Sequence, residues 1–390
     1  MVAEKEARRK ANARLIGRVW YGQMHRPVLW AVMVAGTCSV CIGQDGTTRQ
    51  VTVSQLEQFL AAQKAAHTSD RAVAQQLSAV ELNEALTDIT LDRLKSTYKP
   101  GEQTATELDV LADLSAFLDP PDVETHGKNP AAPADEKQIL SRATTFAIVT
   151  LEHLPDFLSL RTTKSFEDVP VFTADSNFQS GMHATGTSLR EVAFRNGREF
   201  ASDVASPAAE MPANAVQKEL SSAGEFGPVL ATIMSDSAQG KIAWSRWENV
   251  RSGLLAVFHY EVPKEAAHYE ISLCCAWNVA KEAFESYDGK PAYHGNIWVD
   301  PASGAILRVT LVADFENLAD PPRFGLLVRY GKVEIEGSSL ICPLSSAVVV
   351  RARQAAHHHT WDVVHMNYTT FTGFRRFGSD AHIVSNAEAR

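Results

Sequence analysis

From Leu154 to Phe371 the chain repeats one pattern: short runs alternating apolar and polar residues, separated by turn residues. Alternation at period two puts every second side chain on one face of a strand. Strands that follow one another through turns, without a βαβ rhythm, pair antiparallel. The segment from Leu254 to Val262 shows the pattern clearly, with Ala256, Phe258, Tyr260 and Val262 on one face, and Tyr269, Ile271, Leu273 and Cys275 align on the next strand. Asn296 to Val299 and Ala305 to Phe315 flank Asp300-Pro301-Ala302-Ser303-Gly304, where proline suits a type I turn and glycine the left-handed position. Leu326 to Ile335, Leu340 to Val350 and Val363 to Phe371 continue the series, and Phe157 to Phe166 suits a strand at its start. Asn196-Gly197 between Leu189–Phe194 and Arg198–Phe200 is the strongest hairpin signal. The expectation is an α+β fold: a small N-terminal helical segment, then one large, curved antiparallel sheet spanning about 154 to 375.

Helical spacing comes earlier. Residues 48–119 read as four short helices. Ser54-x-x-Glu57 reads as a capping box leading into Leu56, Phe59 and Leu60, and Ser69-Asp70 opens a second helix with Val73, Leu77, Val80 and then Leu82 or Leu86 on one face. Thr87 caps a third helix that stops at Lys99-Pro100-Gly101, and a fourth starts near Thr106 with Leu108, Leu111, Leu114 and Leu118. Residues 120–133 are rich in proline and polar residues and read as a linker. The β domain spans 134–378 and opens on a helix near Ala134, whose Ile139, Ala143 and Phe146 stripe is expected to cover the concave side of the sheet. Glu225-Phe226-Gly227-Pro228 starts a further short helix bearing Val229, Leu230, Ile233 and Met234, with proline at its first position. Residues 379–390 read as a frayed tail.

Residues 1–43 have the three parts of a secretory signal: basic residues ending at Arg26, a continuously apolar stretch from Val28 to Ala35, and small residues Cys41 and Gly43 at the −3 and −1 positions of a cleavage after Gly43. The apolar stretch is shorter than the roughly 20 residues of a comfortable membrane span, although an uncleaved anchor and a buried helix are alternative readings. Met24, followed by His25-Arg26-Pro27, would start a signal of more ordinary proportions. The pattern places the mature chain in the periplasm or outside the cell, or tethered there by an uncleaved segment.

Residues 1–43 carry +5 of a total of −9, so the remainder carries −14. An acidic body repels phosphate backbones, which argues against nucleic acid as a partner. Five cysteines occur, of which Cys274, Cys275 and Cys342 lie in the mature part. An oxidising compartment, the place of Cys275 on the apolar Tyr269-Ile271-Leu273 face and that of Cys342 at the end of a β segment before Pro343 suggest a disulfide from Cys342 to Cys275, or failing that to Cys274. No Walker loop, G-x-G-x-x-G, H-E-x-x-H or G-x-S-x-G is present, and no residue is assigned to catalysis, metal or cofactor. His357-His358-His359 with His365 reads as a solvated loop between strands, because consecutive strand residues point to opposite sides. Tyr293-His294-Gly295 with Asp300 offers a base and an orienting carboxylate in principle, but nothing in the spacing brings them together. The aromatics Trp244, Trp247, Phe258, Tyr260, Tyr269, Trp298, Phe315 and Tyr330 read first as core, and Glu225 reads as a residue at the start of a helix rather than an acid catalyst.

Several strings resemble a family of uncharacterised exported bacterial proteins: VTVSQL at Val51–Leu56, LSAFLDPP at Leu114–Pro121, LPDF at Leu154–Phe157, GEFGP at Gly224–Pro228, YHG at Tyr293–Gly295 with VDP at Val299–Pro301, and ICP at Ile341–Pro343. A helix before a long curved sheet, with a hairpin of the form V-D-P-x-x-G-x-I-x-R, is also similar to the half-barrel of periplasmic lipoprotein carriers. That second resemblance implies an acyl chain or lipoprotein segment held in a concavity. Taken together, these readings give an extracytoplasmic binding protein, with a structural or interaction component of the cell envelope as the alternative and a hydrolase behind both. Membrane contact is expected only through the N-terminal segment.

Overall fold

A computed structural model describes residues 49–126, 133–169, 171–172, 178–179, 181–203, 224–278, 281–316, 321–356 and 359–376. The expected signal at 1–43 with Gly43, residues 127–132 of the expected linker, His357, His358 and the tail lie outside the described residues, as do the Cys274 and Cys275 side chains.

The first part holds β1 (Arg49–Val51), α1 (Val53–Ala65), α2 (Asp70–Leu77), β2 (Val80–Leu82), α3 (Asp88–Tyr98) and α4 (Glu102–Ser115). The capping box of α1 lies two residues before its expected place: Thr52 accepts from Gln55 N, and the Gln55 side chain returns to Thr52 N. Ser54 is already inside the helix. Val80 and Leu82 leave the helical pattern because β2 pairs in parallel with β1, Val51 opposite Leu82. Thr87 caps α3 by accepting from Thr90 N, and Lys99 ends it in the left-handed conformation. The fourth helix starts four residues early, since Asp70 caps it from a distance: its carboxylate takes the N–H groups of Gln103 and Thr104. A Cβ on Gly101 would lie 2.3 Å from that carboxylate, so a bare backbone is required there.

The rest comprises β3 (Thr125–His126), α5 (Pro133–His153), β4 (Phe157–Glu167), β5 (Val171–Phe172), β6 (Phe178–Gln179), β7 (His183–Arg195), β8 (Arg198–Asp203), α6 (Pro228–Gln239), β9 (Lys241–Val250), β10 (Gly253–Val262), β11 (Ile271–Asn278), β12 (Ala283–Gly289), β13 (Ala292–Val299), β14 (Ile306–Asp314), β15 (Arg323–Ile335), β16 (Ser338–Ala356) and β17 (His359–Arg376). Eleven strands form one curved antiparallel sheet in the order β3-β9-β10-β13-β14-β15-β16-β17-β4-β7-β8. The Asn196-Gly197 hairpin forms as expected, both residues at positive φ, with Arg195 opposite Arg198. Gly304 also takes its left-handed turn position. Two differences stand out. β11 and β12 make a separate hairpin instead of joining the sheet, and the linker contributes the edge strand β3.

Residues opposite each other in an antiparallel pair share a face, so the register assigns the two sides of the sheet. One face carries Phe258, Tyr260, Tyr293, Ile297, Val309, Leu311, Leu326 and Val328, and it is filled by Ile139, Ala143 and Ala147 of α5, by Val229, Leu230 and Ile233 of α6, and by Ile271 and Leu273 of the separate hairpin. The opposite face receives the N-terminal helices. There Val110 and Leu114 of α4 pack with Val349, Met366 and Tyr368, and the absence of a side chain at Gly325 lets the Phe117 ring approach. Charges fasten the rest. Arg329 Nη1 lies 2.7 Å from Asp113 Oδ1, Arg308 pairs with Asp88 and Glu248, and Arg351 pairs with Glu81. Arg308 stands on this face by ordinary alternation, opposite Trp298 and Arg329; the β-bulge next to it, where Val299 opposes Ile306, makes Leu307 the extra residue and returns Ile306 to the filled face. The Arg308 guanidinium stands 5.0 Å from the Trp298 ring centroid, a cation–π contact.

Candidate functional site

The cleft with the most chemistry lies at one corner of the sheet, where β9 and β13 begin and β10 and β14 end. It has a volume of about 740 Å³ and is lined by Gly240, Lys241, His259, Glu261, Tyr293, His294 and Asp314, among others. Register explains the grouping. Lys241 opposes Glu261, Glu261 opposes His294, and one row inward Ala243, His259 and Asn296 stand side by side. These residues occupy the polar phase of strands whose apolar phase is buried, on the face that the N-terminal helices cover elsewhere.

The side chains are tied together in pairs. His294 Nδ1 lies 2.8 Å from Asp314 Oδ2, and His259 Nδ1 lies 3.2 Å from Asn296 Oδ1. Glu261 accepts from Lys241 Nζ at 3.4 Å and lies 3.7 Å from His259 Nε2. The two imidazole rings are 6.0 Å apart. The cleft therefore presents hydrogen-bond donors and acceptors of both charges over a half-exposed surface. Among the described residues no three His, Cys, Asp or Glu side chains are placed to hold a metal ion.

Behind the cleft, Asp236 of α6 is buried and takes three bonds: Tyr293 Oη at 2.7 Å, His268 N at 2.8 Å and His268 Nδ1 at 2.6 Å. Burial, followed by the Asp236 hydrogen bond, drives the Tyr293 phenol far above its usual range, so it stays a donor. The carboxylate fixes the tautomer and orientation of His268, whose side chain is 60% exposed. An imidazole held this way can take a proton, but among the described residues no hydroxyl or thiol is hydrogen-bonded to its other nitrogen. The arrangement as it stands anchors the loop after β10 to α6.

A second polar cluster sits on the filled face at the start of α6. Glu225 is fully buried, and its Oε1 accepts from Ser346 Oγ at 3.2 Å and from Arg161 Nη2 at 3.5 Å. Glu199 of β8 binds the backbone on either side, taking Phe226 N at 2.7 Å and Gly224 N at 3.0 Å. Burial, and then the neighbouring Glu225 carboxylate, push the Glu199 carboxyl up to about 7. The start of α6 thus sets two carboxyl groups near the Arg161 guanidinium.

The residues weighed from sequence fall as follows. His294 is oriented by Asp314 and not by Asp300, whose oxygens instead take Ala302 N and Ser303 Oγ to shape the turn. Gly295 is bare for a packing reason: a Cβ there would lie 2.0 Å from Thr310 O and 2.8 Å from Tyr260 Oη. His365 lies 3.6 Å from Glu167, which also approaches His183 at 3.9 Å. Most of the aromatics are core, as read. Cys342 is a buried thiol beside Phe157, Phe226 and Phe371, and burial pushes it up to about 12. Its proposed partner Cys275 has no described side chain. Lys241, Asp236, His268 and Asp314 were not singled out from sequence. The one available signal was that His259 and Glu261 fall in the polar phase of a strongly alternating strand.

No family model and no curated protein sequence matches the chain. Among solved structures it is similar to a DUF1329 family protein from Desulfovibrio piger, at 10% identity and TM-score 0.28, over 62% of this chain and 94% of that one. It is also similar to a chain of the MucA/MucB complex of Pseudomonas aeruginosa, at 11% identity and TM-score 0.20, over 60% and 93%. A further structure of MucB with MucA(peri) gives 9% identity, TM-score 0.18, and coverage of 64% and 100%. No helix among the described residues is long and apolar enough to cross a membrane.

Proposed function

We propose that this chain is an extracytoplasmic binding protein whose ligand enters at the polar corner formed by Lys241, His259, Glu261, His294 and Asp314. The observation that carries this reading is where the space lies. One face of the sheet is packed by α5, α6 and the β11–β12 hairpin, and much of the other by the N-terminal helices, whereas the corner holds a cleft of about 740 Å³. Clefts with a few convergent polar groups are where ligands bind. The extracytoplasmic placement rests on the signal pattern before Gly43. The alternative ligand, an acyl chain or lipoprotein segment lying against the sheet, would need the apolar face that Ile139, Ala143, Leu230 and Ile233 occupy.

Two titrations separate the readings. Histidine-labelled protein is titrated with short peptides prepared from the host's own envelope proteins, following the imidazole signals of His259 and His294. A fluorescent fatty-acid displacement assay runs in parallel. The corner reading expects both imidazoles to shift saturably with the peptides, and a Lys241→Glu variant to weaken the response. Saturable fatty-acid binding that leaves both imidazoles unmoved would overturn it in favour of a lipid ligand.

A further inference from the structure

We infer that the polar corner holds an imidazole-preferring divalent transition-metal ion, taken by the Nε2 atoms of His259 and His294 and by the Glu261 carboxylate; this rests on the corner being the ligand site. The observation that carries it is how the two imidazoles are already held. Asp314 Oδ2 stands 2.8 Å from Nδ1 of His294, and Asn296 Oδ1 stands 3.2 Å from Nδ1 of His259. Both oxygens are acceptors, so each Nδ1 carries the proton and each Nε2 keeps its lone pair. Among the described residues neither Nε2 is hydrogen-bonded, and Glu261 Oε1 stands 3.7 Å from that of His259. Metal-ligating histidines are oriented in this way, the far N–H given to a carboxylate or another oxygen acceptor.

Register supplies the third donor. Glu261 follows His259 by two positions on β10 and lies directly opposite His294 on β13, so all three side chains rise from one patch of one face. The two ring centroids are 6.0 Å apart. An ion about 2 Å from each nitrogen sets two rings roughly 5–6 Å apart, so a small rotation closes the site. As they stand the three donors do not enclose an ion, and Glu261 instead accepts from Lys241 Nζ at 3.4 Å. The incoming ion takes the place of that ammonium. Glu261 and Asp314 outweigh Lys241 by one negative charge, which favours a cation over an anion. Calcium and magnesium call for six or more oxygen ligands, whereas imidazole suits zinc, copper and nickel. Three protein donors leave one position for water or for a donor atom of the ligand.

The probe is zinc ion alone, titrated into the full chain with isotope-labelled histidine, with magnesium ion as the control. Imidazole nitrogen signals report which ring atom binds, and competition with a fluorescent chelator gives the affinity. The inference expects Nε2 of His259 and of His294 to shift saturably together while both Nδ1–H protons are retained, and magnesium to move neither. His294→Ala and Glu261→Gln should each weaken zinc binding about tenfold or more, and Asp314→Ala, which removes only the orienting carboxylate, about ten- to a hundredfold. Lys241→Met should tighten it, since the competing ammonium is gone. A response confined to other histidines, such as those at 357–359, or an affinity unmoved by Asp314→Ala and Lys241→Met, would mean an adventitious ion only and overturn the inference. Peptides that shift both imidazoles where zinc does not would overturn the ion and leave the corner as the ligand site. No response of either ring to zinc or to peptides would remove the corner reading as well.

Discussion

Replacing Glu199 with glutamine should flatten the pH dependence of folding stability between pH 4.5 and pH 7. In the folded chain its carboxyl is raised from 4.5 to about 7, by burial first and by Glu225 second. Below about 4.5 the group is protonated in both states, so it costs nothing. As pH rises from 4.5 towards 7 the unfolded chain ionises while the folded chain resists, so stability is lost across that window and the loss is complete above it. A displacement of that size corresponds to about 3 kcal/mol when the loss is complete. Glu107, raised to about 7 by burial, loses stability in the same window and remains in the variant. The glutamine itself offers one acceptor where the carboxylate offers two, so either Gly224 N–H or Phe226 N–H loses its partner, at about 1–3 kcal/mol. That cost is present at every pH and leaves the slope untouched. Urea unfolding at half-unit steps from pH 4.5 to 8.5 measures the difference between the two proteins, in which distant groups cancel. The variant should start less stable than the parent at pH 5 and close most of that gap, or overtake the parent, by pH 8. Parallel stability curves across the range would refute the reasoning, because they would mean that the carboxyl is ionised throughout in the folded state.

Gly295→Ala should lose about 2 kcal/mol or more in urea unfolding, since the new methyl meets Thr310 O and the hydroxyl by which Tyr260 bonds that same carbonyl. Arg329→Gln leaves Asp113, which burial raises against the pull of Arg329, without its charge partner; a loss of about 3–5 kcal/mol is expected, together with faster proteolysis in residues 49–119. Non-reducing peptide mapping should find Cys342 bridged to Cys275 in protein from an oxidising compartment, and three free thiols would remove that proposal. N-terminal sequencing of protein from the envelope fraction should begin just after Gly43, and a chain beginning at Met1 recovered from cytosol would contradict export.

The sheet was legible from sequence because alternation is a local property. A run such as Leu254 to Val262 can bury one face only as a strand, and Asn196-Gly197 turns the chain back whatever surrounds it. The helices at Thr87 and Pro228 were legible for the same reason, since a cap and a proline act within one turn. What failed was whatever depends on a residue far along the chain. The start of α4 is set by Asp70, more than thirty residues before it, so its own sequence carries no cap. β11 has the alternation of a sheet strand, but it pairs with β12 and packs over the sheet face, and periodicity cannot name a strand's neighbour. The corner was hidden for the same reason. Lys241, His259, His294 and Asp314 sit on four strands, and only register brings them into one cleft. Alternation thus determined that this chain would build a two-faced sheet and which side chains would share a face. Tertiary pairing alone decided which strands lie side by side and what fills each face, because those outcomes depend on residues tens to hundreds of positions apart.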